Sequence, residues 1–540
     1  MYLGVTLSLI FISLGWLYYR ITRGYGSFKS RGYPEEVGTF PFGSKMFWDM
    51  YLRRRSLRDF CCSYKKKYPL EKFFIAWDFG KPVVIVLDVD LAKNVLVKDF
   101  EYFPIRRPFP EISNSTNLYM ARMMPFVSNV DKWKKIRSMM SPVFTSGKLK
   151  AMLPHLQEGV DYLMEYITKI DTQMVDSRDI VVRYTTQSIA KAGFGVEANC
   201  FDLSVKEPLF MEMVNIITGR KGKKWRQVYM FLCFLTFPNW FTKHSPISLL
   251  DPGSKSFFIN MVKSSIENRK KSKVSRGDFV DLLLAEFYKN TSIKQDEIQN
   301  GEEAPQFEFD AKINIQDTKV TFDEQELELV LVANVLILLM AGFDTTSSMM
   351  TVMFVYLANH PIVQEKLFEE ISGVIHEKNN GDEKLNYMDI RSLKYLDMFI
   401  HEVLRHFPFI NLERTCIKKY KMPGTDLDIE KNTLFLFPND AFNLCKDHYE
   451  EPEVFNPNNF TEENKIKRST YSFLAFGQGP RNCIGMRFAM LQMKTCLYRL
   501  VYKYKFLRNE KTVDEILVAP NELSPDITGG SWVTLKKRRA

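Results

Sequence analysis

Near the C-terminal end of the chain, Cys483 stands in the run Phe476-Gly477-Gln478-Gly479-Pro480-Arg481-Asn482-Cys483-Ile484-Gly485. The thiolate is the metal-ligating form of cysteine, and nearby cations and backbone N–H groups stabilise it. Arg481 supplies a cation, and a helix expected from Met486 onward supplies N–H groups at its first turn. Glycines 477, 479 and 485 let the main chain approach something large and flat, and Phe476 offers an aromatic lid. These parts suit a loop that presents a thiolate to haem iron while an arginine meets a haem propionate. The competing assignment is a buried core thiol beside an ordinary glycine turn. It leaves the phenylalanine and the arginine of the same run without a role.

A second run, Ala341-Gly342-Phe343-Asp344-Thr345-Thr346, could handle oxygen and protons. Ala341 and Gly342 carry little side chain and leave room for a flat ligand and a diatomic molecule. The Thr345 hydroxyl can bond a main-chain carbonyl one turn back and widen the helix locally. Asp344 can relay protons from solvent. The alternative is a threonine pair that only caps or bends a core helix. Upstream, Thr321-x-x-Glu324 reads as a capping box that opens this helix. Leu327 to Met340 is apolar on nearly every face, with Glu328 and Asn334 the exceptions, so the helix is expected to be buried.

The two runs together resemble the cytochrome P450 monooxygenases, and the resemblance covers essentially the whole chain after its N-terminal apolar stretch. It implies a mainly α fold with small β-sheets, and haem b with Cys483 as axial ligand. Thr345 and Asp344 would deliver protons, Gly342 would face the haem, and Trp133, Arg137, Arg414 and Arg481 would meet its propionates. Glu402-Val-Leu-Arg405 is similar to the family's E-x-x-R helix, a structural pair with no chemical role. Its usual third partner is an arginine in a P-x-R-F segment. Here the segment reads Pro457-Asn-Asn459-Phe460, so Asn459 brings an amide without charge and a weaker network is expected. Cys445-Lys-Asp447-His448 is a second departure, to which no consequence is assigned.

The resemblance also implies NADPH- and O2-dependent insertion of one oxygen atom into a lipophilic small molecule, a xenobiotic or an endogenous steroid or lipid. The stretch from Trp133 to Lys148 is most similar to arthropod and vertebrate microsomal members that handle xenobiotics. Electrons would come from NADPH through a separate flavoprotein reductase, with cytochrome b5 a second redox partner, because the chain has no flavin or dinucleotide fingerprint. A haem-thiolate isomerase or dehydratase, or a non-catalytic haem ligand-binding protein, would share the cysteine run. The Asp344-Thr345 pair argues against both.

These residues need a large scaffold, and 540 residues with 45% hydrophobic content can build one. The 43 phenylalanines suit an interior that also holds an apolar ligand. A net charge of +10 points to an acidic partner or an anionic membrane surface. No nucleic-acid motif appears. Eight scattered cysteines without a C-x-x-C pair fit free thiols in a reducing compartment.

Tyr2 to Tyr19 carries no side-chain charge, and Arg20, Arg23, Lys29 and Arg31 follow it. This reads as an uncleaved membrane anchor over residues 1–20, with the remainder facing the cytosol at the endoplasmic reticulum. Residues 21–44 read as a linker or hinge, and 45–540 as the catalytic domain. Two strands are expected within 72–100 around a Gly80-Lys81-Pro82 turn. Residues 290–320 read as an exposed loop, and the apolar patch 228–241 either dips into the membrane or packs as core. The pocket lining would draw on Phe109 to Phe126 with Met120, Met123 and Met124, on Met340 to Thr345, on Phe409, Ile410 and Leu412, and on Ile527. Each could instead be plain core. Lys132, Lys134, Lys135 and Arg487 form either a docking patch for the reductase or a solvated face.

Overall fold

The computed structural model describes residues 2–52, 65, 67–108, 118–170, 173–205, 207–218, 221, 225, 248, 250–272, 277–288, 320–378, 381–407, 411–517 and 527–538. The expectations for 228–241, for the loop within 290–319, and for Phe109, Phe409 and Ile410 lie outside the described residues. The helices that matter here are α1 (Tyr2–Thr22), α2 (Val130–Met140), α3 (Ser146–Lys169), α4 (Ser177–Phe194), α5 (Glu324–Asn359), α6 (Pro361–Lys378), α7 (Lys394–His406) and α8 (Met486–Lys503). The strands are β1 (Phe73–Asp78), β2 (Lys81–Val86), β3 (Met174–Asp176), β4 (Leu412–Thr415), β5 (Leu434–Phe437), β6 (Tyr504–Leu507) and β7 (Trp532–Lys537), with a short hairpin of 420–421 against 428–429. The fold is mainly helical with small sheets, as expected.

Helix α5 is the axis of the molecule. Its run from Val330 to Leu336 is wholly buried, and so is almost every residue from Thr346 to Ala358. That burial is why the helix can be apolar on all sides. The cap is Asp323, whose carboxylate accepts the Glu326 N–H at 2.7 Å. The box therefore sits two residues later than the expected Thr321-to-Glu324 pair. Asp323 and Glu326 have the same three-residue spacing, but the Glu326 side chain is drawn away to Arg122.

Helix α4 lies between α3 and α5 and is buried along most of its length. Helix α8 packs on α3 and α6, and the Tyr184 hydroxyl of α4 donates to the Gln492 carbonyl of α8 at 3.1 Å. This bundle fixes the start of α8, and with it the cysteine run.

The four-stranded sheet has the order β1-β2-β5-β4, with β2 and β5 parallel and the other pairs antiparallel. A second sheet has the order β3-β7-β6. The β1–β2 turn is Phe79-Gly80, both at positive φ (46° and 75°), the signature of a two-residue type I′ hairpin. The expected Gly80-Lys81-Pro82 turn is thus one step too far along. Pro82 stands inside β2 opposite Trp77, just before β2 begins to pair with β5 at Val83, where its missing N–H costs no ladder bond.

The window Val5–Thr22 of α1 is long and apolar enough to cross a bilayer, with mean hydropathy 1.4, and its side chains are mostly exposed. Helix α5 meets the same length and composition test while being half buried in the core. The stretch after α1 differs from a hinge. Main-chain bonds from Glu36 to Ile75, from Ile75 to Pro34 and from Ser44 to Trp77 lay it along the edge of β1. Glu35, only 8% exposed, accepts the N–H groups of Gly26, Phe28 and Lys29 and the indole N–H of Trp77, at 2.6–2.9 Å. The Trp77 ring packs against Tyr25 and Phe28. One carboxylate therefore orders residues 26–29 against β1.

Glu35→Ala strands several part-buried donors, so it should cost on the order of 3 kcal/mol. Hydrogen exchange should speed up across residues 24–36 while α5 keeps its protection. Unchanged exchange in that stretch would refute the assignment.

Candidate active site

Cys483 sits at the end of a loop closed by its own N–H, which donates to the Phe476 carbonyl at 2.8 Å. The Gly477 N–H donates to Leu474, and the Asn482 N–H to Gly479. Gly479 has φ +71°, and a Cβ there would lie 2.1 Å from the Leu96 carbonyl oxygen. The close approach that needs this glycine is to the protein's own backbone at Leu96, not to a cofactor. The Cys483 sulfur is open to contact, yet it sits deep among other residues. Desolvation is the largest influence on its pKa and raises it. The Gly485 N–H at the head of α8 and the charges of Arg137 and Arg106 act the other way, toward the thiolate.

Four arginines surround this loop. Arg481 donates Nε to the Pro104 carbonyl at 2.8 Å, Nη2 to Val127 at 3.2 Å and Nη1 to Met124 at 3.5 Å. Its guanidinium lies over the Trp133 ring at 3.9 Å. Arg137 donates to the Asn482 carbonyl at 3.0 Å and to its Oδ1 at 2.7 Å. Trp133 and Arg137 are one turn apart on α2, and both are buried, as their spacing predicts.

Arg414 on β4 is fully buried and donates only Nη1, to the Glu413 carbonyl. Its Nε and Nη2 are buried without a hydrogen-bond partner among the described residues. Arg106, which the sequence reading missed, donates to the Arg481 carbonyl at 3.1 Å. The sheet explains its position. The Thr415 N–H bonds the Ile105 carbonyl, so the extended segment 105–107 runs beside β4. Strand alternation then turns Arg106 and Arg414 inward, while Arg107 faces out to pair with Asp78 and Glu413.

Among the described residues, none of these four arginines is in an ion pair. Burial pushes Arg414 down to about 9 and Arg137 to about 10, and it lowers Arg106. Arg481 is pushed well down by burial and then by Arg106, Arg414 and Arg137. Buried charge of one sign is costly unless paired. Two carboxylates on one ligand would pair it, and unpartnered N–H groups already stand at Arg414. The residues present therefore fit haem, with a sulfur ligand on one side and a cationic nest for its propionates.

Helix α5 carries the remaining residues of the expected site. The Thr345 hydroxyl donates to the Ala341 carbonyl at 2.7 Å, the bond expected one turn back. The helix is α throughout and shows no local widening. The hydroxyl uses the second lone pair of that carbonyl without displacing the ladder N–H. Asp344 is half-buried, and its carbonyl accepts Ser347 and Ser348. Gly342 faces α4, where a Cβ would come within 2.9 Å of Ile189 Cδ1. Helix packing, rather than a flat ligand, accounts for that glycine. Ala341 is exposed beside it.

Behind the cysteine loop, Glu402 and Arg405 form a two-bond pair at 2.8 and 2.7 Å, both fully buried. Arg405 also donates to the carbonyls of Asn443, Pro452 and Val454. Burial alone would raise the Glu402 pKa; the bonds and charges of Arg405 and His406 overcome it and hold the carboxyl low. Asn459 Nδ2 reaches Glu402 at 3.0 Å, and the Asn456 N–H at 2.7 Å. The charge absent at 459 is present nearby. Arg468 stacks over Tyr449 at 4.7 Å, opposite Arg405 at 4.6 Å, and donates to the Asn459 carbonyl. The sequence carried no sign of this role for Arg468.

Met120, Met123 and Met124 are buried in the main core, with Phe126 partly buried against it. Ile527 is buried, and Leu412 is half-buried. Lys132 is drawn to Glu326 at 3.6 Å, away from the expected patch with Lys134, Lys135 and Arg487.

A family model described as Cytochrome P450 matches residues 40–524. The chain is 30% identical over 540 residues to Cytochrome P450 9e2 of Blattella germanica, covering 96% of this chain and 95% of the relative. It is 28% identical over 531 residues to Probable cytochrome P450 9f2 of Drosophila melanogaster, covering 95% of each. It is 28% identical over 543 residues to Cytochrome P450 6B7 of Helicoverpa armigera, covering 100% and 99%.

Arg468→Leu removes one face of the Tyr449 sandwich and should cost about 1–2 kcal/mol. Glu402→Leu leaves a buried cation alone and should cost about 3–5 kcal/mol. Equal, small effects in urea unfolding would show that Arg468 is a bystander.

Proposed function

The chain belongs to the cytochrome P450 family, whose members are haem-thiolate monooxygenases, and we propose that it inserts one oxygen atom into a lipophilic small molecule with Cys483 as the axial ligand. The observation that carries this reading is the nest of Arg137, Arg414 and Arg481, all buried, with the half-buried Arg106 beside them, around Cys483 and without an ion-pair partner among the described residues. When bound there, the haem supplies oxygen activation, and an axial thiolate favours O–O cleavage.

The chain's own residues do the rest. The Gly485 N–H and the charges of Arg137 and Arg106 favour the thiolate. Arg414 Nε and Nη2 are free to take a propionate carboxylate, and Arg106 and Arg481 neutralise it further. Arg137 holds the Cys483 loop through Asn482, so it positions the ligand rather than the propionate. The Thr345 hydroxyl donates to Ala341 and keeps its lone pairs to accept a proton-bearing partner. Asp344 next to it, half-exposed, carries protons from solvent. Phe476 and Trp133 pack the nest and exclude water.

Electrons reach the site from NADPH through a separate flavoprotein reductase, with cytochrome b5 as a second donor. Lys134, Lys135 and Arg487 serve as the docking patch. Helix α1 holds the protein to the endoplasmic reticulum membrane with the domain in the cytosol. The substrate is a xenobiotic or an endogenous steroid or lipid.

The deciding measurement is the spectrum of the dithionite-reduced protein under carbon monoxide. A strongly red-shifted Soret band is expected, and it should vanish in Cys483→Ala. Arg414→Leu should lower haem content. With reductase and substrate, Thr345→Ala should keep consuming NADPH while product falls by about 10²-fold, the low end for a lost proton donor. A Soret band at the position of histidine-ligated haem would overturn the reading, and turnover without NADPH would favour an isomerase.

A further inference from the structure

Asn334 is the polar interruption in the apolar half of α5, and it is fully buried. A buried amide in such a helix must be hydrogen-bonded. Its Oδ1 accepts the Met124 N–H at 2.8 Å, and its Nδ2 donates to the Arg122 carbonyl at 2.9 Å and the Val330 carbonyl at 2.7 Å. It thus grips the main chain of residues 122–124 by one donor and one acceptor, as a neighbouring strand would. Eight residues earlier on α5, about two turns along the same side, Glu326 takes the Arg122 guanidinium at 2.6 and 2.9 Å. From the opposite side, Arg481 bonds the carbonyls of Met124 and Val127.

The segment Met120–Val127 is therefore a strap, fastened to α5 at one edge and to the cysteine loop at the other. Asn334 precedes Thr345 by eleven residues, about three full turns, so both lie on one face of α5. A cleft of about 170 Å³ lies beside the strap, bounded by Arg122, Lys132 and Glu326 with Val127, Ile136 and Val330. It gives a released strap room to shift.

Resting on the active-site reading above, we propose that Asn334 is the positioning residue that sets the place of the 120–127 wall and so the size of ligand the site admits. The amide touches neither cofactor nor substrate. It acts through the backbone of Met124.

The test uses the full-length protein with haem bound. Met124 and its neighbours in 118–127 should exchange amide hydrogens slowly, and Asn334→Leu, similar in volume but unable to grip, should accelerate exchange there by tenfold or more. Spectral titration with imidazole and with 4-phenylimidazole should show the larger azole gaining at least fivefold over the smaller one in Asn334→Leu. Asn334→Asp, protonated by burial, can still accept the Met124 N–H and donate to the Arg122 carbonyl while giving up the Val330 bond, so it should stay nearer the parent ratio than Asn334→Leu.

Fast exchange with an unchanged azole ratio would overturn the specificity claim, and unchanged exchange would overturn the strap itself. Should Asn334→Leu fail to fold, Glu326→Gln, at the strap's outer fastening, must shift the ratio in the same direction. If it does not, the proposal fails. Absence of the red-shifted carbon monoxide band in the parent protein would sink the active-site reading instead, while leaving the exchange result to judge the strap.

Discussion

Three buried guanidiniums and a half-buried fourth, none in an ion pair among the described residues, are the constraint from which much of the structure follows. Each loses hydration on burial, and each repels the others. The fold meets that cost in part with main-chain carbonyls. Pro104, Val127 and Asn482 accept from Arg481 and Arg137, and the Trp133 ring lies under Arg481. Arg414 is left with two unpartnered nitrogens. A dianionic ligand would complete the charge of such a site. Three separate elements must meet to make it: β4 with the segment beside it, α2, and the cysteine loop ahead of α8. The parallel pairing of β2 with β5 and the packing of α8 on α3 bring them together.

The same reasoning separates this nest from the second buried charge system. Glu402 and Arg405 satisfy one another and the loop carbonyls around them. Their pair needs no ligand, which fits a structural role. Replacing the usual arginine by Asn459 was expected to weaken it. The amide bond to Glu402 survives, and Arg468 brings a cation to the far face of Tyr449. The network has changed its geometry more than its charge.

Legibility followed the range of the interactions. The cysteine run, the Trp133–Arg137 turn, the Thr345 bond and the burial of α5 depend on spacings of a few residues, and all could be read from the chain. Arg106 could not, because its role depends on pairing with a strand about 300 residues later. Arg468 was hidden for a similar reason: its ring partners, Tyr449 and Phe460, meet it only in the folded loop. Gly342 and Gly479 do permit close approach, and within the protein what approaches is Ile189 and the Leu96 carbonyl. Composition shows that space is needed and cannot show which body fills it. Within the expected linker, the order that Glu35 imposes through four hydrogen bonds was not legible, because its partner Trp77 lies 42 residues on. The cap and the hairpin turn each missed by one or two residues, since Thr321 and Asp323, or Gly80 and Lys81, satisfy the same local rule and tertiary contacts choose between them.

Arg481 joins these threads. Two residues before Cys483, it faces the propionate nest, rests on Trp133 and bonds the carbonyls of the 120–127 strap. The strap in turn is fixed to α5 by Asn334, on the face that carries Thr345. The cysteine loop, the arginine nest, the 120–127 segment and α5 are thus connected through one guanidinium and one amide. Both are buried, and both bond mainly to backbone, so neither can move without stranding polar groups in the core. A displacement of the wall must therefore be felt at the cysteine loop. On this reading the cysteine run and Asn334, a buried amide in the apolar stretch of α5, work together.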